Sequence, residues 1–137
     1  MFFKKKEIEK NNLYLVKIGA LLIHAAKIDQ NLSKIEEKII EKTLIELGAN
    51  QKQLNTLINA SKIAEENSNQ ILEFTKEIKQ MHENKKIKII ESLWRIVYSD
   101  KDADIYETNL MRRLSGLLYV DSKIMGKIKE KIKQENS

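Results

Sequence analysis

The chain has 137 residues, of which 42% are hydrophobic and 33% charged, enough for one domain that buries a core without crosslinks. It contains no cysteine, which excludes disulfides, thiolate metal sites and a cysteine nucleophile, and no proline, so little interrupts helices. The net charge of +5 comes from lysines interleaved with acids, a distribution that disfavours a nucleic-acid surface.

The spacing of apolar residues predicts seven helices and no strand. In chain order they are residues 7–28, a helix from Ser33 to Gly48, one after Asn50, residues 68–82, one opened by Asn84, one from Asp104 and residues 121–133. Short connections predict a compact all-α bundle with antiparallel neighbours. We expect residues 1–137 to form a single domain whose first ten residues are a flexible or lightly packed basic N-terminus.

Two features of the sequence, its first residues and its longest apolar run, predict the cellular location of the protein. No secretory signal pattern is recognisable at the start of the sequence. The longest apolar run, residues 13–26, is too short to span a bilayer, which requires about 20 residues. We therefore expect a cytoplasmic protein.

A motif occurs twice, as AKIDQNLSKIEEKII at residues 26–40 and as VYSDKDADIYETNLM at residues 97–111. One offset (100 − 29 = 71) aligns Asp29 with Asp100, Asn31 with Asp102, Ser33 with Asp104 and Glu36 with Glu107. Each copy joins two apolar helical segments through a polar, mostly acidic turn. The repeat therefore predicts a duplicated helix–turn–helix core.

The two turns carry alternating oxygen-bearing side chains, which suit a hard divalent cation. The predicted metal ligands are Asp29, Glu36, Asp100, Asp104 and Glu107. The ion would be Ca²⁺, Mg²⁺, Mn²⁺ or Zn²⁺. The turns are not EF-hands, because the sixth position of that loop, a glycine, is here Lys34 or Ile105. The twelfth position, a bidentate glutamate, is Ile40 or Met111.

The same residues also have a purely structural interpretation as helix caps. Ser33 and Glu36 have the spacing of a capping box, and Asp104 and Glu107 repeat it. Each cap contributes about 1 kcal/mol and requires no metal. Asp29 and Asp100 lie four residues before the two caps and are not explained by the capping box. These two aspartates are therefore the strongest functional candidates.

Other reactive side chains give no catalytic pattern. His24 and His82 lack a second histidine at ligand spacing, so we expect a packed and a solvated side chain respectively. Trp94 is expected in the core. There is no glycine-rich phosphate loop and no recognisable nucleophile with its base. The sequence therefore predicts a protein without enzymatic activity and indicates no small-molecule substrate.

Three strings, GALLIHAAKID, FTKEI and IIESLWRIVYSDKDADIYETNLMRRLSGLLYV, resemble the TerB-like family, named for tellurite resistance proteins, and its small stand-alone branch in particular. The resemblance extends from about Leu13 to Ile132. It implies an all-helical fold with an internal repeat, a bacterial cytoplasmic setting, metal-binding acidic turns and stress responses to toxic oxyanions and DNA damage. Fusions of such domains to J-domains imply roles in assembly.

Carried onto this chain, the Asp-Gly…Glu turn of the family corresponds to Asp29 with Glu36 and to Asp100 with Glu107. The glycine that follows each aspartate in the family is replaced here by Gln30 and Lys101. We expect these replacements to change the geometry of the turn, and Lys101 adds a positive charge to the second copy.

Two main functions remain open. The first is a binding module that senses or buffers a divalent cation and thereby fixes its two halves in a position that a partner recognises. The second is a protein–protein interaction or scaffold domain with purely structural turns, whose partner is another protein or a second copy of the chain. A third hypothesis is contact of the lysine-rich termini with an anionic membrane surface or nucleic acid.

Overall fold

The computed structural model of the protein describes residues 2–27, 32–68, 70–100 and 105–135, with side chains from residue 12 onward and without that of Asp100. Over these ranges the chain forms seven α-helices and no strand, which confirms the predicted all-α class. The helices are α1 (Phe2–Ala26), α2 (Lys34–Glu46), α3 (Leu54–Glu66), α4 (Leu72–Ile78), α5 (Glu83–Val97), α6 (Ile105–Leu117) and α7 (Ser122–Glu135). None of these described helices is both long enough and apolar enough to cross a membrane.

Local hydrogen bonds fix both ends of α2 as predicted. The Ser33 hydroxyl accepts from the Glu36 amide (3.1 Å), and the Glu36 carboxylate accepts from the Ser33 amide (2.9 Å), which completes a capping box. At the other end Gly48 has a φ of 111°, a conformation that glycine adopts without steric cost. The amide of Ala49 then donates to the Leu44 carbonyl (2.8 Å) and closes the last turn.

The helix predicted over residues 68–82 is wrong in length, because α4 covers only Leu72–Ile78. The Ser68 hydroxyl accepts from the Gln70 amide (3.3 Å) and donates to the Gln70 carbonyl (3.0 Å), so a local turn replaces the first helical turn. His82 has extended backbone (ψ 147°) and is the N-cap of α5, which therefore begins at Glu83. The α1 backbone begins at Phe2, earlier than the predicted residue 7.

Helix α1 lies at the centre of the bundle and contacts α2, α3, α4 and α5. Four consecutive residues in it, positions 20–23, are fully buried. A helix that is covered on every face must be apolar all round, which explains the continuous apolar run in this part of the sequence. The central position of α1 ties the first half of the chain to α5 of the second half.

The sequence repeat is also a repeat of structure. Helices α1 and α5 end at Ala26 and Val97, and helices α2 and α6 begin at Lys34 and Ile105. Both pairs show the offset of the motif (97 − 26 = 71 and 105 − 34 = 71). The described residues therefore confirm a duplicated pair of consecutive helices, α1 with α2 and α5 with α6, each pair joined in the sequence by an acidic segment.

Two ion pairs join α5 to α7 on the surface. Arg95 donates to Glu135 through Nε and Nη2, each at 3.2 Å, and Lys131 donates to Glu91 at 2.6 Å. From one ion pair to the other, the position advances by four residues along α5 (Glu91 to Arg95) and by four residues along α7 (Lys131 to Glu135). Helices α5 and α7 therefore run in the same direction, with α6 as the connection between them. The hydrogen bond from Arg95 lowers the pKa of the Glu135 carboxyl.

Replacing Glu135 by glutamine is expected to lower stability slightly, and only above acidic pH. A carboxyl whose pKa is lowered in the folded state stabilises the protein above its unfolded pKa, about 4.3, and this contribution is lost as the pH falls through the folded pKa. The difference between wild type and Glu135→Gln should reach at most about 0.5 kcal/mol at pH 7, because both partners are partly exposed. Urea unfolding at pH 7 and pH 3 measures it. A difference that persists at pH 3, or that Glu130→Gln on the same helix reproduces, contradicts this account.

Candidate functional site

The five predicted metal ligands belong to the two acidic segments of the sequence or to the first helical turn after each of them. Glu36 and Glu107 have described side chains in the first turn of α2 and of α6. Asp29 and Asp104 lie outside the described residues, as does the side chain of Asp100. The predicted metal ligation by these residues and the predicted cap at Asp104 therefore stay predictions.

The two described glutamates occupy the same environment in the two copies. Glu36 and Glu107 are each only 4% exposed, although each stands at the start of a helix beside a polar turn. Glu37, the next residue of the same helical turn, is instead half-buried and pairs with Lys62 at 3.1 Å. Burial is thus a property of the repeat position that Glu36 and Glu107 share, and not of every acidic residue at a helix start.

A buried carboxylate is costly unless hydrogen bonds or positive charge compensate it. The Ser33 amide supplies one such hydrogen bond to Glu36, and the amide end of each helix favours negative charge. Within the described ranges no three histidine, aspartate or glutamate side chains lie close enough together to hold a metal ion. A cation at either turn would therefore need ligands from residues 28–31 or 100–104, as the repeat predicts.

The comparison with known families decides the family. The family model described as tellurite resistance protein TerB matches residues 16–130, and this range contains both turns. The chain belongs to the TerB family. No curated protein and no solved structure matches it. Membership confirms the predicted family and agrees with the all-α fold observed in the described residues.

The sequence also predicted the surroundings of three other side chains of this TerB family protein, those of His24, His82 and Trp94. His24 was expected to be packed, but its side chain is 39% exposed and its Nδ1 lies 3.6 Å from a carboxylate oxygen of Glu65. Lys27 reaches the same carboxylate at 3.3 Å, so α1 and α3 are joined by a small charged cluster. His82 is exposed and Trp94 is 4% exposed, as predicted.

The burial of the two TerB glutamates is not predicted by their capping role, which operates at exposed helix ends. A signal for it exists in the sequence. Glu36 and Glu107 precede Ile40 and Met111 by four residues, and these two apolar residues are each 1% exposed. Residues four apart share a helical face, so a glutamate at this spacing from a core residue lies on the buried face.

Proposed function

We propose that this TerB family protein is a non-catalytic cytoplasmic binding module that binds a divalent cation through its two acidic turns. The observation that supports the proposal is the matched burial of Glu36 and Glu107, each at 4% exposure and each beside its own turn. A carboxylate that is both buried and adjacent to further carboxylates is stabilised by a cation. In the sequence, the repeat has an aspartate seven residues before each glutamate, at a position that helix capping leaves unexplained.

The mechanism follows from where the turns stand in the fold. Each turn connects the two helices of one repeat copy, and α1 and α5 of the two copies pack against each other. A cation that neutralises the carboxylates of a turn would fix the angle between its two helices. The two copies would then be held in one relative position, and we propose that a protein partner recognises that position during a stress response.

The first experiment is thermal unfolding of metal-stripped protein with Ca²⁺, Mg²⁺, Mn²⁺ or Zn²⁺ added separately at millimolar concentration. An ion present at a hundred times its dissociation constant adds about 2.7 kcal/mol if it binds the folded state alone. For a chain of this length we expect a rise in Tm on the order of 10 °C with the preferred ion. The rise should be abolished in the double variant Asp29→Asn, Asp100→Asn.

The control for the double variant is Asp121→Asn. Asp121 also stands at a helix start, where it accepts a hydrogen bond from the Lys123 amide (2.9 Å), but it lies outside both turns. It should leave the ion-dependent rise unchanged. If no ion raises Tm, the cation proposal fails, and the result favours the alternative of a protein-interaction or scaffold domain with structural turns.

A second pair of variants separates ligation from capping at Glu36. Glutamine retains the capping-box acceptor for the Ser33 amide but removes the charge. Glu36→Gln should therefore unfold much like wild type without metal and lose most of the ion-dependent rise. Glu37→Gln, one residue further along the same turn, should retain it. Equal ion responses in the two variants would show that Glu36 is a cap and not a ligand.

A further inference from the structure

A groove of about 210 Å³ lies between α5, α6 and α7. We call it the Trp94 groove; its lining includes Trp94, Met111, Arg112, Ser122, Gly126 and Lys129. Helices α7 and α6 form two walls of the groove. The α7 wall has residues at spacings of four and three, and the α6 wall uses positions 108, 111, 112 and 115. Each wall is thus one face of a regular helix.

Trp94 forms part of the groove and carries a polar group without a partner. Its side chain is 4% exposed, and it stacks on Tyr98 with ring centroids 5.9 Å apart. The indole Nε1–H is buried and has no hydrogen-bond acceptor among the described residues. Buried indole N–H groups usually have a partner, so a ligand acceptor that enters as the covering side chains move aside would satisfy this one.

The charged side chains among the described lining residues of the groove are all positive. Lys129 places its Nζ 5.6 Å from the centre of the Trp94 ring, and Arg112 lies in the α6 wall of the groove. No aspartate or glutamate is among the described lining residues, and neither cation forms an ion pair with a described residue. These groups favour an anionic ligand that accepts hydrogen bonds.

The rest of the groove lining favours a flat apolar group, such as an aromatic ring. Met111 and Met125 supply flexible thioether side chains that adapt to a ring. At Gly126 an added Cβ would meet no atom within 4 Å, so open space faces this position. The volume lies below the range of about 300–1,000 Å³ that is typical of sites for drug-sized ligands, which favours a ligand with a single ring.

We propose that the Trp94 groove binds a small aromatic carboxylate, a compound with one ring and one carboxylate. The ring lies against the methionines and the indole. The carboxylate accepts hydrogen bonds from the Trp94 N–H and is neutralised by Lys129 and Arg112. The groove includes Thr108, the residue after Glu107, so the probes are titrated into metal-stripped protein, which keeps this test distinct from that of the cation proposal.

Trp94 is the only tryptophan of the chain, so its emission reports on the groove directly. Phenylacetate and benzoate, and their neutral amides phenylacetamide and benzamide, are titrated into the protein while tryptophan emission and binding heat are recorded. We expect a saturable response to at least one carboxylate and at least ten-fold weaker binding of the matching amide. No saturable response to any probe in either measurement would overturn the proposal.

Two matched pairs of variants locate the site. Gly126→Leu should weaken carboxylate binding at least ten-fold by filling the groove, whereas Gly116→Leu, at a helical position equally free of neighbours, should not. Lys129→Glu should also weaken binding at least ten-fold, whereas Lys127→Glu, two residues before it on α7, should change it less than three-fold. The Lys129 pair tests the proposal even if Gly126→Leu does not fold. Equal affinities within the Lys129 pair would overturn it.

Discussion

Replacing Gly19 by alanine is expected to lower the free energy of unfolding by about 1–3 kcal/mol, although alanine is the better helix former by about 1 kcal/mol. Gly19 lies in α1 where α1 packs closely on α3. A Cβ added there would stand 2.9 Å from the Cβ of Ser61 and closer still to its hydroxyl oxygen. Atoms of this kind do not approach so closely in proteins, so the two helices would have to move apart.

Ser61 cannot easily move away from an added methyl group. It is fully buried, and its hydroxyl donates to the Leu57 carbonyl at 2.7 Å, which holds the side chain against its own helix. Moving it would break a buried hydrogen bond and loosen the core around α1. The cost of alanine at residue 19 therefore exceeds its gain in helix propensity.

The control for this prediction is a glycine in open surroundings. Gly116 lies in α6, where an added Cβ would meet nothing within 4 Å, so Gly116→Ala should raise stability by about 0.5–1 kcal/mol. Urea unfolding of the two variants should give changes of opposite sign. In a double variant, Ser61→Gly should recover part of the loss caused by Gly19→Ala. Equal and favourable changes at residues 19 and 116 would contradict the close packing.

The parts of the fold that depend on neighbouring residues were predictable from the sequence. The capping box of Ser33 with Glu36 and the stop at Gly48 involve a few adjacent residues with specific backbone requirements, and both are observed. The helix–turn–helix repeat was predictable as well, because the same spacing of polar and apolar residues occurs twice. The start of α4 was not, because Ser68 is a common N-cap residue, whereas here its side chain forms a local turn with Gln70.

The features that depend on packing between distant helices were not predictable. The Trp94 groove combines residues of three helices, and the apolar spacing that marks Trp94 as a core residue contains no sign of its unpartnered N–H. The close contact of Gly19 with Ser61 likewise joins residues of two helices. A periodic pattern specifies which face of a helix is buried, whereas the partner of each face is specified only by the tertiary fold.

The repeat leads to the second large expected effect, at Leu22 and Leu93. These residues are separated by the repeat offset (93 − 22 = 71), and both are fully buried, one in α1 and the other in α5. Each change to alanine should lower the free energy of unfolding by about 2–5 kcal/mol, because it removes buried apolar volume and leaves a cavity. Ile63→Ala, at a residue that is 58% exposed, should cost less than about 1 kcal/mol.

Because α1 packs against α5, damage to one copy should be felt in the other. We therefore expect Leu93→Ala to reduce the hydrogen-exchange protection of α2 and α3 amides along with those of α5, in a single unfolding transition. If α2 and α3 kept their wild-type protection, the two copies would be separate folding units and α1 would not couple them. Coupled unfolding is also what the proposed cation mechanism requires, because a change at one turn reaches the other copy only if α1 and α5 move together.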